Sequence, residues 1–163
     1  MRLRTPLVRK ILAAGLVTAA SVAAVMTVAP AANAGYPFPY GCQYRRQTGE
    51  GDWVFNGGFG TTHGEYICVQ NYELAMQEDG NLVIYNNTAT PIWSSNTWNH
   101  SGSTFTFQTD GNLVVYAAGG GPALWSSGTW GNPGSTLAFQ QDGNLVIYNS
   151  SHQAIWATGT NGR

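Results

Sequence analysis

Three short segments of the chain carry the same polar side chains at the same spacing. Gln77, Asp79, Asn81, Val83 and Tyr85 are matched by Gln108, Asp110, Asn112, Val114 and Tyr116, and by Gln140, Asp142, Asn144, Val146 and Tyr148, without gaps and at offsets of 31 and 32 residues. Each copy holds one carboxylate, two carboxamides, one β-branched apolar residue and one phenol. A carboxylate only accepts hydrogen bonds, whereas a carboxamide and a phenol both donate and accept. Such a set suits an uncharged ligand that offers vicinal hydroxyls around a small C–H face, which describes a pyranose. It does not suit acid–base catalysis, which needs two carboxylates in unlike environments. One acid per copy, in triplicate, describes binding, so an enzyme is not expected. Calcium takes about six to eight oxygens, and one carboxylate per copy falls short of that, so neither metal nor cofactor is expected. His63, His100 and His152 stand at no fixed offset from a partner and support no nucleophilic triad.

Strands must position these side chains. Leu74 and Met76, Phe105 and Phe107, and Leu137 and Phe139 alternate before each Asp-Gly, and Leu82 and Ile84, Leu113 and Val115, and Leu145 and Ile147 alternate after it. Cross-strand partners share a face. A two-residue Asp-Gly loop would set Met76 against Val83 and split the apolar set. A three-residue loop, Glu78-Asp79-Gly80, sets Met76 against Leu82 and Leu74 against Ile84, with Gly at the left-handed position such loops need. The opposite face then presents Gln, Asn, Val and Tyr over Ala75, Thr106 or Ala138, with Asp at the hairpin tip. Folding alone explains Asp-Gly and the alternation, but it does not explain the recurrence of the same outward residues.

Each copy is followed, eight or nine residues later, by an apolar-Trp step: Ile92-Trp93, Leu124-Trp125 and Ile155-Trp156. Three such tryptophans, each burying roughly 150–250 Å², are expected to fill a central axis. Trp98 and Trp130, which have no third counterpart, read as edge packing. The region lacks 3.6-residue periodicity and reads as all-β.

The chain of 163 residues is 12% aromatic and 9% charged, a composition opposed to intrinsic disorder. Positions 47 to 162 contain neither Lys nor Arg, so nucleic acid and anionic membranes are excluded as expected partners. Residues 1–34 read as a signal peptide: Met1 to Lys10 is basic, Ile11 to Val28 is apolar, and Ala32-Asn33-Ala34 supplies a small-x-small cleavage signal. Cleavage near Ala34 would release a secreted chain with three basic and eight acidic groups, a net charge of about −5. In that oxidising setting Cys42 and Cys68, the sequence's two cysteines, are expected to pair, and the closed loop would stabilise the fold by about 3 kcal/mol. Residues 35–51 then read as a disulfide-pinned extension, either a packing segment or a partner-contact arm using Arg45-Arg46, ahead of a repeat domain at 52–163.

The triplicated Q-x-D-x-N-x-V-x-Y pattern resembles that of the bulb-type, monocot mannose-binding lectins, with a secreted bacterial-type member in view. The resemblance runs from about Asp52 to Gly159, including the first strand from Trp53 and the closing Trp156-Ala157-Thr158-Gly159-Thr160. It implies a β-prism II fold of three four-stranded antiparallel sheets with pseudo-threefold symmetry. It also implies calcium-independent recognition of terminal α-mannose, on mannose-containing glycans or a cell-surface polysaccharide. In such lectins Asp and Asn hold the axial 2-hydroxyl, Gln the 3-hydroxyl and Tyr the 4-hydroxyl, while Val packs on ring carbons. Family members often dimerise by exchanging C-terminal strands, for which Ala157 to Arg163 is long enough. Some bacterial relatives are lectin-like bacteriocins, the alternative reading. One departure is that plant relatives carry a cysteine where Gly80 stands here. Another is Glu73 opposite Tyr85, where the other copies have Thr104 and Thr136.

Overall fold

A computed structural model describes residues 51–163. The signal peptide, the extension up to residue 50 and Cys42 lie outside the described residues. Twelve short strands follow the alternation read above: β1 (Trp53–Asn56), β2 (Phe59–Thr61), β3 (Tyr66–Val69), β4 (Tyr72–Met76), β5 (Leu82–Tyr85), β6 (Pro91–Ser94), β7 (Thr104–Phe107), β8 (Leu113–Tyr116), β9 (Ala123–Ser126), β10 (Thr136–Phe139), β11 (Leu145–Tyr148) and β12 (Ala154–Ala157). They form three four-stranded sheets, ordered β3-β4-β5-β6, β2-β7-β8-β9 and β1-β10-β11-β12. Each repeat supplies three consecutive strands of one sheet. The stretch before the first repeat gives one edge strand to each sheet, so β1 closes the sheet of the last repeat.

The hairpin register is the one that keeps the apolar set together. Met76 faces Leu82 and Leu74 faces Ile84; Phe107 faces Leu113 and Phe139 faces Leu145. Gly80, Gly111 and Gly143 take φ of 92°, 88° and 88°, the left-handed conformation that a residue with a Cβ adopts at a cost. The twelve alternating residues named above are all at most 1% exposed and form one core. Burying each such side chain contributes roughly 1.5–3 kcal/mol.

The tryptophans of the outer strands face that core, Trp93 opposite Ile84, Trp125 opposite Val115 and Trp156 opposite Ile147. Their rings meet one another with centroids 5.5, 6.0 and 5.7 Å apart and planes inclined at 75°, 80° and 64°. Edge-to-face contact sets the positive rim of one ring against the negative face of the next. Three rings can satisfy that preference in a closed cycle, and this cycle marks the pseudo-threefold axis. Trp98 and Trp130 depart from the expected edge packing: they are 63% and 71% exposed.

Candidate functional site

In each repeat the five predicted side chains gather at one hairpin on the face turned away from the core. The glutamine and tyrosine share a hydrogen bond: Gln77 Nε2 donates to Tyr85 Oη, Gln108 Nε2 to Tyr116 Oη at 2.8 Å, and Gln140 Nε2 to Tyr148 Oη at 3.2 Å. The phenol hydrogen and the glutamine Oε1 are left for an outside partner. Asp79, Asp110 and Asp142 each accept, through Oδ1, the backbone N–H of the asparagine two residues on, at 3.0 Å in all three copies. That turn fixes the carboxylate and leaves its second oxygen as an acceptor.

The asparagines are fixed by residues of a later turn, of which the sequence pointed to Thr158-Gly159-Thr160 but to neither of the other two sets. Asn81 Oδ1 accepts from Thr97 N at 3.1 Å and from Ser95 Oγ at 3.2 Å. Asn112 Oδ1 accepts from Thr129 N and Ser127 Oγ, both at 3.1 Å. Asn144 Oδ1 accepts from Gly159 N at 3.0 Å, Thr158 Oγ1 at 3.1 Å and Thr160 N at 3.2 Å. A backbone N–H can only donate, so Oδ1 must point inward and the Nδ2 amino group outward. The asparagine is therefore a pure donor toward a ligand. The signal for these anchors was the Ser/Thr-x-Thr step just after each core tryptophan, Ser95-Asn96-Thr97, Ser127-Gly128-Thr129 and Thr158-Gly159-Thr160. The same threonines bind the hairpin itself, donating to the carbonyls of Gly80, Gly111 and Gly143 at 2.7, 2.7 and 2.6 Å.

Val83, Val114 and Val146 do not stand open to water as expected; each is 2% exposed. On an inner strand the valine has a neighbour on both sides, Ala75 and Ser94 around Val83. The Gln–Tyr bond also spans from one end of the face to the other across this row. Valine thus forms the floor beneath the polar groups. Each copy presents two donors, Asn Nδ2 and the phenol hydrogen, and two acceptors, Asp Oδ2 and Gln Oε1, over an apolar base.

The copies differ at their margins. Glu73, fully buried, faces Tyr85, whereas Thr104 and Thr136 face Tyr116 and Tyr148. Tyr85 holds its proton above the ordinary 10.0, chiefly because burial disfavours the phenolate; the bond from Gln77 opposes this, and Glu73 and Asp79 add to it. The edge strands set Tyr66, Gly60 and Val54 beside the floors of the first, second and third copies.

A separate groove of about 470 Å³ lies among β1, β2 and β3, lined by Trp53, Phe55, Phe59, Tyr66, Ile67 and Cys68 among others, and none of the fifteen predicted residues lines it. Cys68 is not a free thiol. Among the described residues no cluster of three or more His, Cys, Asp or Glu could hold a metal ion, and no helix is long and apolar enough to cross a membrane.

No family model matches the chain. The mannose-specific lectin of Galanthus nivalis is 50% identical over 54 residues, 32% of this chain and 34% of that protein. The chain thus spans about a third of that curated relative's length. Solved structures match over much more of their length. A monomeric monocot mannose-binding lectin from Gastrodia elata is 38% identical with a TM-score of 0.60, covering 66% of this chain and 97% of that one. The snowdrop agglutinin complexed with methyl-α-D-mannoside is 37% identical with a TM-score of 0.55, covering 66% of this chain and 96% of that one. With this identity and structural similarity across almost the whole of both lectins, the chain belongs to the bulb-type monocot mannose-binding lectin family.

Proposed function

We propose that this protein is a calcium-independent lectin that binds terminal α-mannose at three equivalent sites. The observation that carries the reading is the fixed orientation of each asparagine, whose carbonyl is held by the turn that follows the core tryptophan so that the amino group faces out beside the second aspartate oxygen. An axial 2-hydroxyl accepts from Asn Nδ2 and donates to Asp Oδ2, which satisfies both of its roles at once. The 3-hydroxyl donates to Gln Oε1, and the 4-hydroxyl accepts from the phenol. An equatorial 2-hydroxyl, as in glucose, leaves the Asp–Asn pair mispaired, at a cost of about 1–3 kcal/mol. No step in this recognition uses a cation.

Three weak sites on one chain engage a glycan surface together, and avidity supplies the useful affinity. The ligand is a mannose-containing glycan or cell-surface polysaccharide. The residues expected to serve C-terminal strand exchange are engaged within the chain: Thr158, Gly159 and Thr160 hold Asn144, and Gly162 N donates to Asp142 O at 2.7 Å. A homodimer built by that exchange would have to transfer this anchor to the partner, and gel filtration at micromolar concentration distinguishes the two states.

The reading includes export after cleavage near Ala34 and a Cys42–Cys68 disulfide that pins the N-terminal extension. Peptide mapping without reduction tests that pairing. The function itself is tested by retention on immobilised mannose and elution with methyl α-mannoside. The wild-type chain is retained, and a chain carrying Asn→Asp at positions 81, 112 and 144 passes through while keeping its fold. Retention of that triple variant would show that the sites have been placed on the wrong residues.

A further inference from the structure

Two exposed tryptophans stand beside two of the three sites. In the first repeat, Trp98 is held between Thr97, whose N–H and hydroxyl bind Asn81 and Gly80, and His100, whose N–H donates to Asp79 O at 2.8 Å. In the second, Trp130 lies between Thr129, which binds Asn112 and Gly111, and Asn132, whose N–H donates to Asp110 O at 2.9 Å. The backbone of each tryptophan is thus tied on both sides to the Asp–Asn end of its site. The residue after each takes a positive φ, 69° at Asn99 and 84° at Gly131, so the two turns share one shape. The third turn departs from them: one residue shorter, it runs from Thr160 to Gly162, whose N–H donates to Asp142 O at 2.7 Å, and has Asn161 between.

Folding does not account for these indoles. At 63% and 71% exposure they bury little in the described fold; one exposed apolar side chain is ordinary, but these two recur at equivalent turns beside equivalent sites. The chemistry of the sugar supplies a reason. If Asp and Asn hold the 2-hydroxyl, Gln the 3-hydroxyl and Tyr the 4-hydroxyl, then C1 lies beyond the Asp–Asn end. The glycosidic oxygen on C1 sends the next sugar of the chain toward the turn that carries the tryptophan. A pyranose presents a face of C–H groups, which fits the electron-rich face of an indole.

We propose that Trp98 and Trp130 form second-ring subsites, stacking on the sugar that carries the terminal mannose, so that the first and second sites read a disaccharide while the third reads a single residue. The inference rests on the mannose reading of the primary sites. Its test is site-resolved NMR titration with methyl α-mannoside and with an α-linked dimannoside. The expected result is that the dimannoside binds about three- to tenfold tighter than the methyl glycoside at the first and second sites, with no such gain at the third. Trp98→Ala removes the gain at the first site and Trp130→Ala at the second, while methyl α-mannoside, too short to reach the indole, binds each variant as it binds the wild type. No gain at any site, an equal gain at all three, or a gain that survives in the double variant overturns the subsite and leaves the primary reading standing. An equal loss of both ligands in the alanine variants also overturns it, since the indole would then belong to the primary site. Failure of methyl α-mannoside to bind the wild-type chain defeats the primary reading and this inference together.

Discussion

Asn112→Asp is the sharpest perturbation of the proposed chemistry because it changes one donor and almost no shape. Asn112 Oδ1 accepts from Thr129 N and Ser127 Oγ, both at 3.1 Å, and an aspartate oxygen accepts the same two bonds. The asparagine is 8% exposed, and among the described residues nothing takes its Nδ2 hydrogens. The substitution therefore leaves the turn anchored, replaces the outward donor by an acceptor and sets a second carboxylate near Asp110. Losing a donor to a sugar hydroxyl that then meets two acceptors costs about 1–3 kcal/mol, or roughly a 5- to 150-fold rise in the dissociation constant of the second site. Site-resolved NMR titration with methyl α-mannoside reads that rise, and the first and third sites keep their affinity. Asn112→Ala is the companion variant. It leaves the buried Thr129 N–H without its acceptor, so it loses about 1–3 kcal/mol of stability as well as binding, seen as a lower melting temperature. Wild-type affinity at the second site of the Asn112→Asp chain would refute the donor role. Equal destabilisation by both variants would refute the claim that the carbonyl alone serves the fold.

Three further outcomes follow from the same structure. Gly111→Ala adds a Cβ at φ 88° that collides with the Asn132 carbonyl, so a loss of at least about 1 kcal/mol is expected in chemical denaturation, with weaker binding at the second site. Phe105→Ala empties a position 1% exposed at the centre of the core and should cost about 3–5 kcal/mol; a loss below about 1 kcal/mol would show that the core is not packed as described. Because Tyr85 has its pKa raised above 10.0, the stability it contributes is fully present below the unfolded value of about 10 and is lost as pH climbs through the higher folded value. Ultraviolet titration should show a late-ionising phenol that Tyr85→Phe removes.

The hairpins were legible because two constraints met in the same residues. Leu74 and Met76 fix a phase before the loop, Leu82 and Ile84 fix another after it, and one loop length reconciles them. The same reasoning placed Gln77 and Tyr85 on a common face, and their hydrogen bond lies there. The edge strands were harder. β2 is only Phe59-Gly60-Thr61, too short to show alternation, and a strand's sequence carries no sign of which sheet it joins. The valine positions were read onto the outer face, but cover by the Gln–Tyr bond depends on side-chain conformation that spacing does not reveal. Thr97 and Thr129 looked like ordinary loop composition, and their role emerges only when the turn folds back onto Asn81 and Asn112. Trp98 and Trp130 failed as packing residues because the turns that carry them are tethered by backbone bonds and need no apolar burial.

The pairing of β1 with β10 joins the start of the repeat domain to its end. A ribosome must finish nearly the whole domain before this seam can close, so the earliest strand waits, unpaired, for its neighbour to be made. Trimming a few residues from the front of the domain would accordingly loosen the binding site at the back, the one formed by Gln140 to Tyr148, while the site nearest the cut in sequence kept its own edge strand.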